Sequence, residues 1–354
     1  MIPILLGAAL ALHLGPMGPD APAREPQLAS SGSTVALTFG AARTVYVLVS
    51  HDRGGTFSEP VKVAEVGVLP LSRHRGPHVA IAGDAIVITA VAGSRTADGP
   101  HAHGLPSDGD LLVWRSKDGG RTWMQGRPIN DVPGAATEGL HALASDAKGR
   151  LFAVWLDKRG AKGTTLYAAT SSDGGASWLK NVEVYRSPSG SICECCHPSA
   201  AIGESGEILV MWRNSFDGSR DLYLSSSHDG VSFAAPVKSG TGTWHLNACP
   251  MDGGGLAASG GKVLTAWRRE GDIFLAERGR PEQKIGTGKD VALALSGGRT
   301  FAVWTGADGL AAWIDGKLEI LAAEGSFAAL CPLTGGGALA AWEQGGGIDV
   351  RRLR

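Results

Sequence analysis

The most chemically informative stretch of the chain spans residues 192–198 and reads I-C-E-C-C-H-P. It places three thiols and an imidazole within five residues: Cys193, Cys195, Cys196 and His197. Thiolates and imidazoles are the donors that soft and borderline metal ions select. A second segment, C-P-M, adds Cys249 and Met251. A thioether beside thiolates favours Cu(I), whereas Cys and His alone suit Zn(II). The sequence therefore predicts a soft-metal site, with copper favoured over zinc, or a centre of thiol chemistry.

The same cysteines allow a structural alternative, a disulfide between neighbouring parts of the chain. This disulfide would join Cys195 or Cys196 to Cys249. Because the side chains of adjacent cysteines rarely point the same way, a third option is one disulfide together with one or two cysteine ligands to a metal ion. The chain has five cysteines, so an oxidising compartment would leave at least one without an intramolecular partner. Cys331, in the apolar run A-A-L-C-P-L, is expected to be a small buried residue.

Four histidines precede short strand-like segments in successive parts of the chain: His78, His141, His197 and His245. A single loop histidine is usually a solvated polar residue. Four at equivalent places favour a shared site, provided that the fold directs them to one point. We expect His78, His141 and His245 to supplement the cysteine cluster as metal ligands.

A repeated turn sequence indicates a fold that could bring separate loops together. The segment S-K-D-G-G-R-T-W at residues 116–123 returns as S-H-D-R-G-G-T-F, S-S-D-G-G-A-S-W and, one residue shorter, S-H-D-G-V-S-F. The aspartates of these turns recur at intervals of roughly 55 to 65 residues, the spacing of a repeated supersecondary unit: Asp52, Asp118, Asp173 and Asp229. In each turn the carboxylate can accept hydrogen bonds from nearby N–H groups, while the glycines permit positive φ.

Short apolar runs around these turns predict four strands per unit. Runs such as L-F-A-V-W-L at residues 151–156 occur seven times, each between two further strands, with a fourth strand after the turn. This pattern predicts an all-β protein, a β-propeller of four-stranded antiparallel blades, with seven blades favoured and six as the alternative. The last unit ends after its third strand, so we expect either that a strand at residues 24–30 closes the ring or that the final blade is short.

A propeller gathers the loops that lead into its inner strands at one mouth of the central channel. The cysteine cluster is therefore predicted at this mouth, with Cys249 arriving from the next blade, and the Asp-rich turns are predicted on the opposite rim. Seven of the ten histidines are expected on the cysteine face: His74, His78, His101, His103, His141, His197 and His245.

Length, charge and the amino-terminal segment bound the remaining possibilities. The 354 residues carry a formal net charge of −1, which provides no basic surface for nucleic acid. Residues 2–14 are almost purely apolar but too short to span a bilayer, and Ala21-Pro22-Ala23 has the form of a signal-peptidase site. We expect residues 1–23 to be a signal peptide, residues 24–354 to form one propeller domain without a membrane span, and the protein to be exported to the periplasm or the cell exterior.

The four copies of S-x-D-x-G-x-[TS]-[WF] resemble the Asp-box, or BNR, repeats of the sialidase-like propeller superfamily. The resemblance covers the chain from Ser31 onward and implies the propeller fold. Asp boxes lie on turns away from the usual site and occur in many proteins that are not sialidases, so the resemblance is specific for fold rather than for activity.

The resemblance also implies a competing function, a sialidase-like glycoside hydrolase of the exo-alpha-sialidase type. Enzymes of this family use an arginine triad to grip a carboxylate, a tyrosine nucleophile assisted by a glutamate, and an aspartate as acid/base. By position, Arg75, Arg213 and Arg268 could form the triad. Tyr185 is the tyrosine left for the nucleophile, since the other three occupy equivalent third-strand positions and are expected to pack; Glu138 would be its partner and Asp98 or Asp108 the acid. The R-I-P-type motif is absent, and the nearest text is Arg75-Gly76-Pro77.

A third hypothesis is a non-catalytic glycan-binding or scaffold propeller, in which Trp244 and the arginines bind a ligand without chemistry. The sequence thus predicts a partner at the channel mouth that is a metal ion, a small ligand or a glycan. The soft-metal or thiol site is the function favoured by the residues themselves.

Overall fold

The computed structural model describes residues 11–99, 104–146, 148–160 and 163–354. Within these ranges the chain forms seven four-stranded antiparallel sheets and no helix. The sheets are the blades of a propeller, so the predicted all-β fold with seven blades is confirmed and the six-bladed alternative is not adopted. None of the described segments is a helix long and apolar enough to cross a membrane.

Strands are numbered β1 to β28 in chain order, and each blade runs from the channel outward. The amino-terminal strand β1 (Leu12–Leu14) belongs to the last blade. Blades 1 to 3 consist of β2 (Arg24–Ser31), β3 (Thr34–Ala41), β4 (Thr44–Ser50) and β5 (Val61–Glu65); β6 (His78–Ala82), β7 (Ala85–Ala92), β8 (Asp110–Ser116) and β9 (Met124–Gln125); and β10 (His141–Ser145), β11 (Leu151–Asp157), β12 (Thr165–Ser171) and β13 (Val182–Tyr185).

Blades 4 to 6 continue with the same order of strands. They consist of β14 (Ser199–Ile202), β15 (Ile208–Arg213), β16 (Leu222–Ser227) and β17 (Val237–Lys238); β18 (Gly255–Ser259), β19 (Lys262–Arg269), β20 (Asp272–Glu277) and β21 (Gln283–Thr287); and β22 (Lys289–Ser296), β23 (Arg299–Gly306), β24 (Gly309–Ile314) and β25 (Lys317–Ala322). Blade 7 consists of β26 (Ser326–Pro332), β27 (Ala338–Gln344), β28 (Gly347–Leu353) and β1.

The first strand of each blade lines the channel. These strands contact one another around a full circle, from β2 through β6, β10, β14, β18 and β22 to β26, which returns to β2. Because each first strand approaches the axis from the same end, the loops that lead into the seven first strands meet at one mouth.

Apolar packing lies between the blades rather than within them. Seven clusters of buried side chains each join two neighbouring blades. Between blades 3 and 4, for example, Phe152 and Val154 pack with Val210 and Trp212. Second strands carry the largest of these side chains because both faces of a middle strand are covered; Trp155, Trp212, Trp304 and Trp342 are all at most 1 % exposed.

The Asp-rich turns fold as the sequence predicts. In the second blade, Asp118 accepts hydrogen bonds from Arg121 N at 3.0 Å and from Thr122 N at 2.9 Å, and Ser116 Oγ donates to it at 2.8 Å. Hydrogen bonds from Thr122 and Ser116 hold the pKa of Asp118 below its usual range. The turn also seals a blade junction, since Gly120, at a φ of 88°, lies against Val49 of blade 1.

The ring closes through the amino-terminal strand. Leu12 and Leu14 pair with Val350 and Ile348 of β28, and they pack on the apolar cluster between blades 1 and 7. The sequence prediction for closure was wrong in both forms, because residues 24–31 form the innermost strand of blade 1 and blade 7 is complete. Strand β1 lies inside the segment predicted as a signal peptide, and cleavage after Ala23 would remove it; the signal peptide stays a prediction.

Replacing Ser116 with alanine should lower the free energy of unfolding by about 1–3 kcal/mol, the usual cost of a buried group left without its hydrogen bond. Ser116 is buried, and its Oγ accepts from Gly120 N at 2.9 Å, a donor that alanine leaves unpaired. Urea unfolding measures the change. The exposed Ser107→Ala is the matched control, and equal stability of the two variants would contradict a structural role for the turn.

Candidate functional site

The three thiols of the I-C-E-C-C-H-P segment lie together on the loop between β13 and β14. Cys193 Sγ is 3.6 Å from Cys195 Sγ and 3.2 Å from Cys196 Sγ. All three residues are buried, with exposures of 3, 8 and 1 % respectively. In the part of the chain that the structure describes, they form the one group of Cys, His, Asp and Glu side chains whose ligand atoms all lie within 4.8 Å and could hold a metal ion.

Backbone hydrogen bonds to two neighbouring strand ends fix this loop. Ile192 N donates to Thr164 O at 3.0 Å, just before β12, and Cys193 N donates to Arg213 O at 3.1 Å, at the end of β15. The side chain of Ile192 is buried in the apolar cluster between blades 3 and 4. The cysteines are therefore held by two blades, and the loop is an anchored element rather than a surface excursion.

Two further sulfur atoms reach the cluster from the loop that leads into blade 5. The thiol of Cys249 interacts with that of Cys195, and Met251 packs on the cysteine cluster. Cys249 is exposed, so it lies on the solvent side of the three buried thiols. All five cysteines are free thiols here, and Cys331 is buried in β26 as predicted.

The buried thiols are neutral in the absence of a bound ion. A hydrogen bond with Cys195, together with burial, raises the pKa of Cys193 to about 12, and burial raises the pKa of Cys196 above its usual range. Two arginines act in the opposite direction. Arg213 interacts electrostatically with Cys193 and Cys196, and Arg75 with Cys195. Positive charge is thus already present where metal binding would create thiolates.

Four of the predicted histidines converge on the axis beside the cysteines, in two close pairs. The rings of His74 and His197 have centroids 4.1 Å apart, and those of His78 and His141 have centroids 4.3 Å apart. The structure does not bring His245 into this group, since it is exposed and its backbone pairs with Ser219. The predicted positions His101 and His103 lie outside the described residues.

In two of these imidazoles, one ring nitrogen is hydrogen-bonded and the other has no hydrogen-bond partner. His141 Nε2 lies 3.0 Å from Thr89 Oγ1 and His197 Nε2 lies 3.2 Å from Gly254 O, whereas the Nδ1 atom of each ring is buried without a partner in the described structure. Burial lowers the pKa of His141 to about 4 and that of His197 well below its ordinary value. Both rings are therefore neutral at physiological pH.

A set of buried acids, none of them predicted from the sequence, faces the histidines. His74 Nε2 lies 3.0 Å from Asp290 Oδ1, and its backbone N donates to Glu25 Oε1 at 3.2 Å. Burial raises the pKa of Glu25 to about 8, and burial with the nearby Asp290 raises that of Asp252. Burial alone would lower the pKa of His74, but Asp290 and Glu25 raise it. His74 is thus the one imidazole of the four whose pKa is raised above its ordinary value.

The missed residues occupy equivalent places in their blades. Glu25, Asp290 and Phe327 are each the second residue of a first strand, each with positive φ, of 54°, 59° and 50°, and each within an irregularity of the strand register. Such bulges redirect side chains, and here all three side chains contact His74 at the axis. Their short contexts, R-E-P, K-D-V and S-F-A, share no residue type, so only alignment of the repeats could have found them.

The arginines predicted for a hydrolase are occupied by structural contacts. Arg213 is 1 % exposed and donates to the backbone oxygens of Asp252, Arg220 and Arg268. The guanidinium groups of Arg268 and Arg213 both lie over the ring of Trp244, at 5.4 and 5.2 Å from the ring centroid. Trp244 is buried, so its face is covered by these cations rather than open to a sugar.

The other residues predicted for hydrolysis lie in two separate places. Arg75 and Glu138 are together at the mouth, with Arg75 Nε donating to Glu138 O at 2.6 Å and Lys158 paired with the Glu138 carboxylate. Tyr185 is on β13, the outermost strand of blade 3, where its ring packs on Trp212 and its hydroxyl accepts a hydrogen bond from Asn214 at 2.9 Å.

The predicted acid does not lie free at the mouth either. Asp108 stabilises its own loop by accepting a hydrogen bond from Ser94 N at 3.0 Å. No described contact joins Tyr185 to Arg75 or Glu138.

Comparisons of the whole chain with known proteins show its fold. No protein-family model matches the sequence, and no curated protein matches it. Solved structures with a similar fold include an α-L-arabinanase from Penicillium chrysogenum, at a TM-score of 0.56 and 14% identity over 98% of both chains. A polysaccharide lyase of family PL25, an ulvan lyase, has a TM-score of 0.60 at 12% identity over 97% of this chain and 96% of that one.

The intramolecular trans-sialidase of leech is similar as well, with a TM-score of 0.57 at 12% identity over 99% of this chain and 70% of that one. At such low identities the likeness extends to fold alone. The chain has the sialidase-like propeller fold, as the repeated Asp-rich turns indicated.

Proposed function

We propose that this protein binds a soft, thiophilic metal ion at the channel mouth, with Cu(I) as the favoured ion. The observation that carries the proposal is the meeting of three buried thiols, Cys193, Cys195 and Cys196, within a distance that one ion can bridge. Cys249 and Met251 border the same space and add a fourth thiol and a thioether.

The set of donors favours copper over zinc. Structural zinc sites take four ligands, commonly Cys with His, in a closed tetrahedron. The compact group here contains three sulfurs, and what borders it is the thioether of Met251 and the exposed thiol of Cys249. Thiolate and thioether donors without imidazole or carboxylate are those that select Cu(I).

The surroundings reduce the cost of creating thiolates in a buried place. Removing charge from water is expensive unless opposite charge is near. Arg213 and Arg75 provide that charge, and their own positions are fixed by hydrogen bonds to backbone oxygens. Both arginines thereby acquire a role as neighbours of a metal–thiolate centre, in place of the carboxylate-gripping role that family resemblance implied.

The protein should bind one Cu(I) ion per chain under anaerobic conditions, in competition with a coloured Cu(I) chelator such as bicinchoninate. Cys193→Ser and Cys196→Ser should each weaken Cu(I) affinity at least about 100-fold, more than the loss of an outer partner usually costs. The reason is that each variant removes one of three sulfurs from the compact group.

Cys331→Ala is the matched control for this titration, because Cys331 is a buried thiol in a different blade. Thermal unfolding followed by circular dichroism checks that each variant is folded. Cu(I) affinity of the folded cysteine variants equal to that of Cys331→Ala would defeat the proposal.

Met251→Leu separates copper from zinc. Leucine keeps the apolar packing on the cysteines but removes the thioether, which is a donor for Cu(I) and not for Zn(II). Cu(I) affinity should fall about tenfold, one ligand's share at roughly 1.4 kcal/mol, while Zn(II) affinity stays unchanged. Parallel titrations of the two ions measure this. A fall in zinc affinity of the same size would indicate a packing role for Met251 instead.

A sialidase-like glycoside hydrolase is the second candidate, supported by a fold shared with solved structures of an arabinanase and a trans-sialidase. The mouth carries the buried Arg75 and Glu138 that such a function could use. Tyr185 lies on an outermost strand, away from the first strands that line the channel. A hydrolase built on this chain would therefore need a nucleophile other than Tyr185.

Tyr185→Phe should leave any turnover of a fluorogenic sialoside unchanged, because Tyr185 is on the outermost strand of its blade and its hydroxyl bonds with the buried Asn214. Glu138→Gln, at the mouth, is the comparison variant and should reduce turnover if the mouth is catalytic. Loss of turnover in folded Tyr185→Phe alone would contradict the geometry described above.

A further inference from the structure

The sulfur atoms at the mouth divide into two pairs with different surroundings. Cys193 and Cys196 have the C-x-x-C spacing, and their sulfurs are 3.2 Å apart. Cys195, between them in sequence, is 3.6 Å from Cys193 and also interacts with the exposed Cys249 of the neighbouring loop. One pair is thus local and buried, while the other joins two blades and borders solvent.

We infer that Cys193 and Cys196 are an electron-donor pair that reduces two incoming Cu(II) ions, while Cys195, Cys249 and Met251 retain one of the two Cu(I) ions formed and the other leaves to solvent. This inference rests on the proposed function and specifies the activity of the same site. Two Cu(II) ions each accept one electron. The two S–H bonds break, one S–S bond forms between Cys193 and Cys196, and two protons leave to solvent.

The geometry of the local pair suits this step. A disulfide is about 2.05 Å long, so the two sulfurs must approach by roughly 1 Å, a movement that side-chain rotation can supply within a C-x-x-C turn. The backbone of the turn stays fixed, since Cys193 N remains bonded to Arg213 O. Closing the pair therefore requires no separation of blades 3 and 4.

Burial selects the oxidant. Cys193 and Cys196 are 3 and 1 % exposed, so a bulky disulfide or peroxide carrier has no path for in-line attack on either sulfur. A metal ion bound first at Cys249, the exposed thiol, can pass to the buried sulfurs through Cys195. In bulk chemistry an exposed thiol is oxidised first, so oxidation of the buried pair before Cys249 is a signature specific to this route.

The test uses the full chain, reduced and metal-free, mixed anaerobically with two equivalents of Cu(II) and a chromogenic Cu(I) chelator. We expect two Cu(I) ions and the loss of two thiols per chain. Tryptic peptide 187–213, which holds all three clustered cysteines, should become lighter by two hydrogens, while Cys249 stays open to alkylation. Cys193→Ser and Cys196→Ser should each abolish this intrapeptide bond, and Cys331→Ala should not.

Direct titration with Cu(I) distinguishes failure of this inference from failure of the proposed function. Cu(I) binding with intact thiols after Cu(II) challenge would overturn the electron-donor pair and leave the metal site standing. Oxidation that bridges peptide 187–213 to Cys249, or that joins two chains through Cys249, would also overturn it. Failure of Cu(I) to bind at all would remove both.

Discussion

Each blade of this propeller has two apolar faces, and both are buried only when a neighbouring blade stands on each side. Seven clusters between blades satisfy this requirement around the whole circle, so the blades must close into a ring. Ring closure then places the loops between blades next to one another at the channel axis. Residues as distant in sequence as Glu25, His74, His197 and Asp290 become neighbours at the axis, although no local pattern connects them.

The features of the fold that could be predicted were those encoded by short local sequence patterns. Strand runs, Asp-rich turns and the cysteine loop all lie within short segments, and the structure has each of them where the sequence placed it. Tyr185 illustrates the limit, because its suitability as a nucleophile depended on which of four strands carried it, and it belongs to the outermost one. Arg213 illustrates a second limit. From the sequence, an arginine at a strand end is available to bind a ligand, but in the structure its guanidinium donates hydrogen bonds to three backbone oxygens.

The buried charges at the axis were unpredictable for a further physical reason. Glu25 and Asp290 reach the channel through bulges with positive φ, and both contact His74, which comes from another blade. The thiols show the same dependence on tertiary structure. Their ligand character follows from the sequence, but the division into a buried local pair and an inter-blade pair follows from how two loops meet.

Closure through β1 has a consequence for how the molecule is made. The strand that completes blade 7 leaves the ribosome ahead of every other described strand, whereas its partner β28 follows all of them. Until β28 emerges, the nascent chain is an open arc whose two terminal blades expose apolar faces, a state prone to association with other chains. The full circle can therefore form only after β28 has emerged.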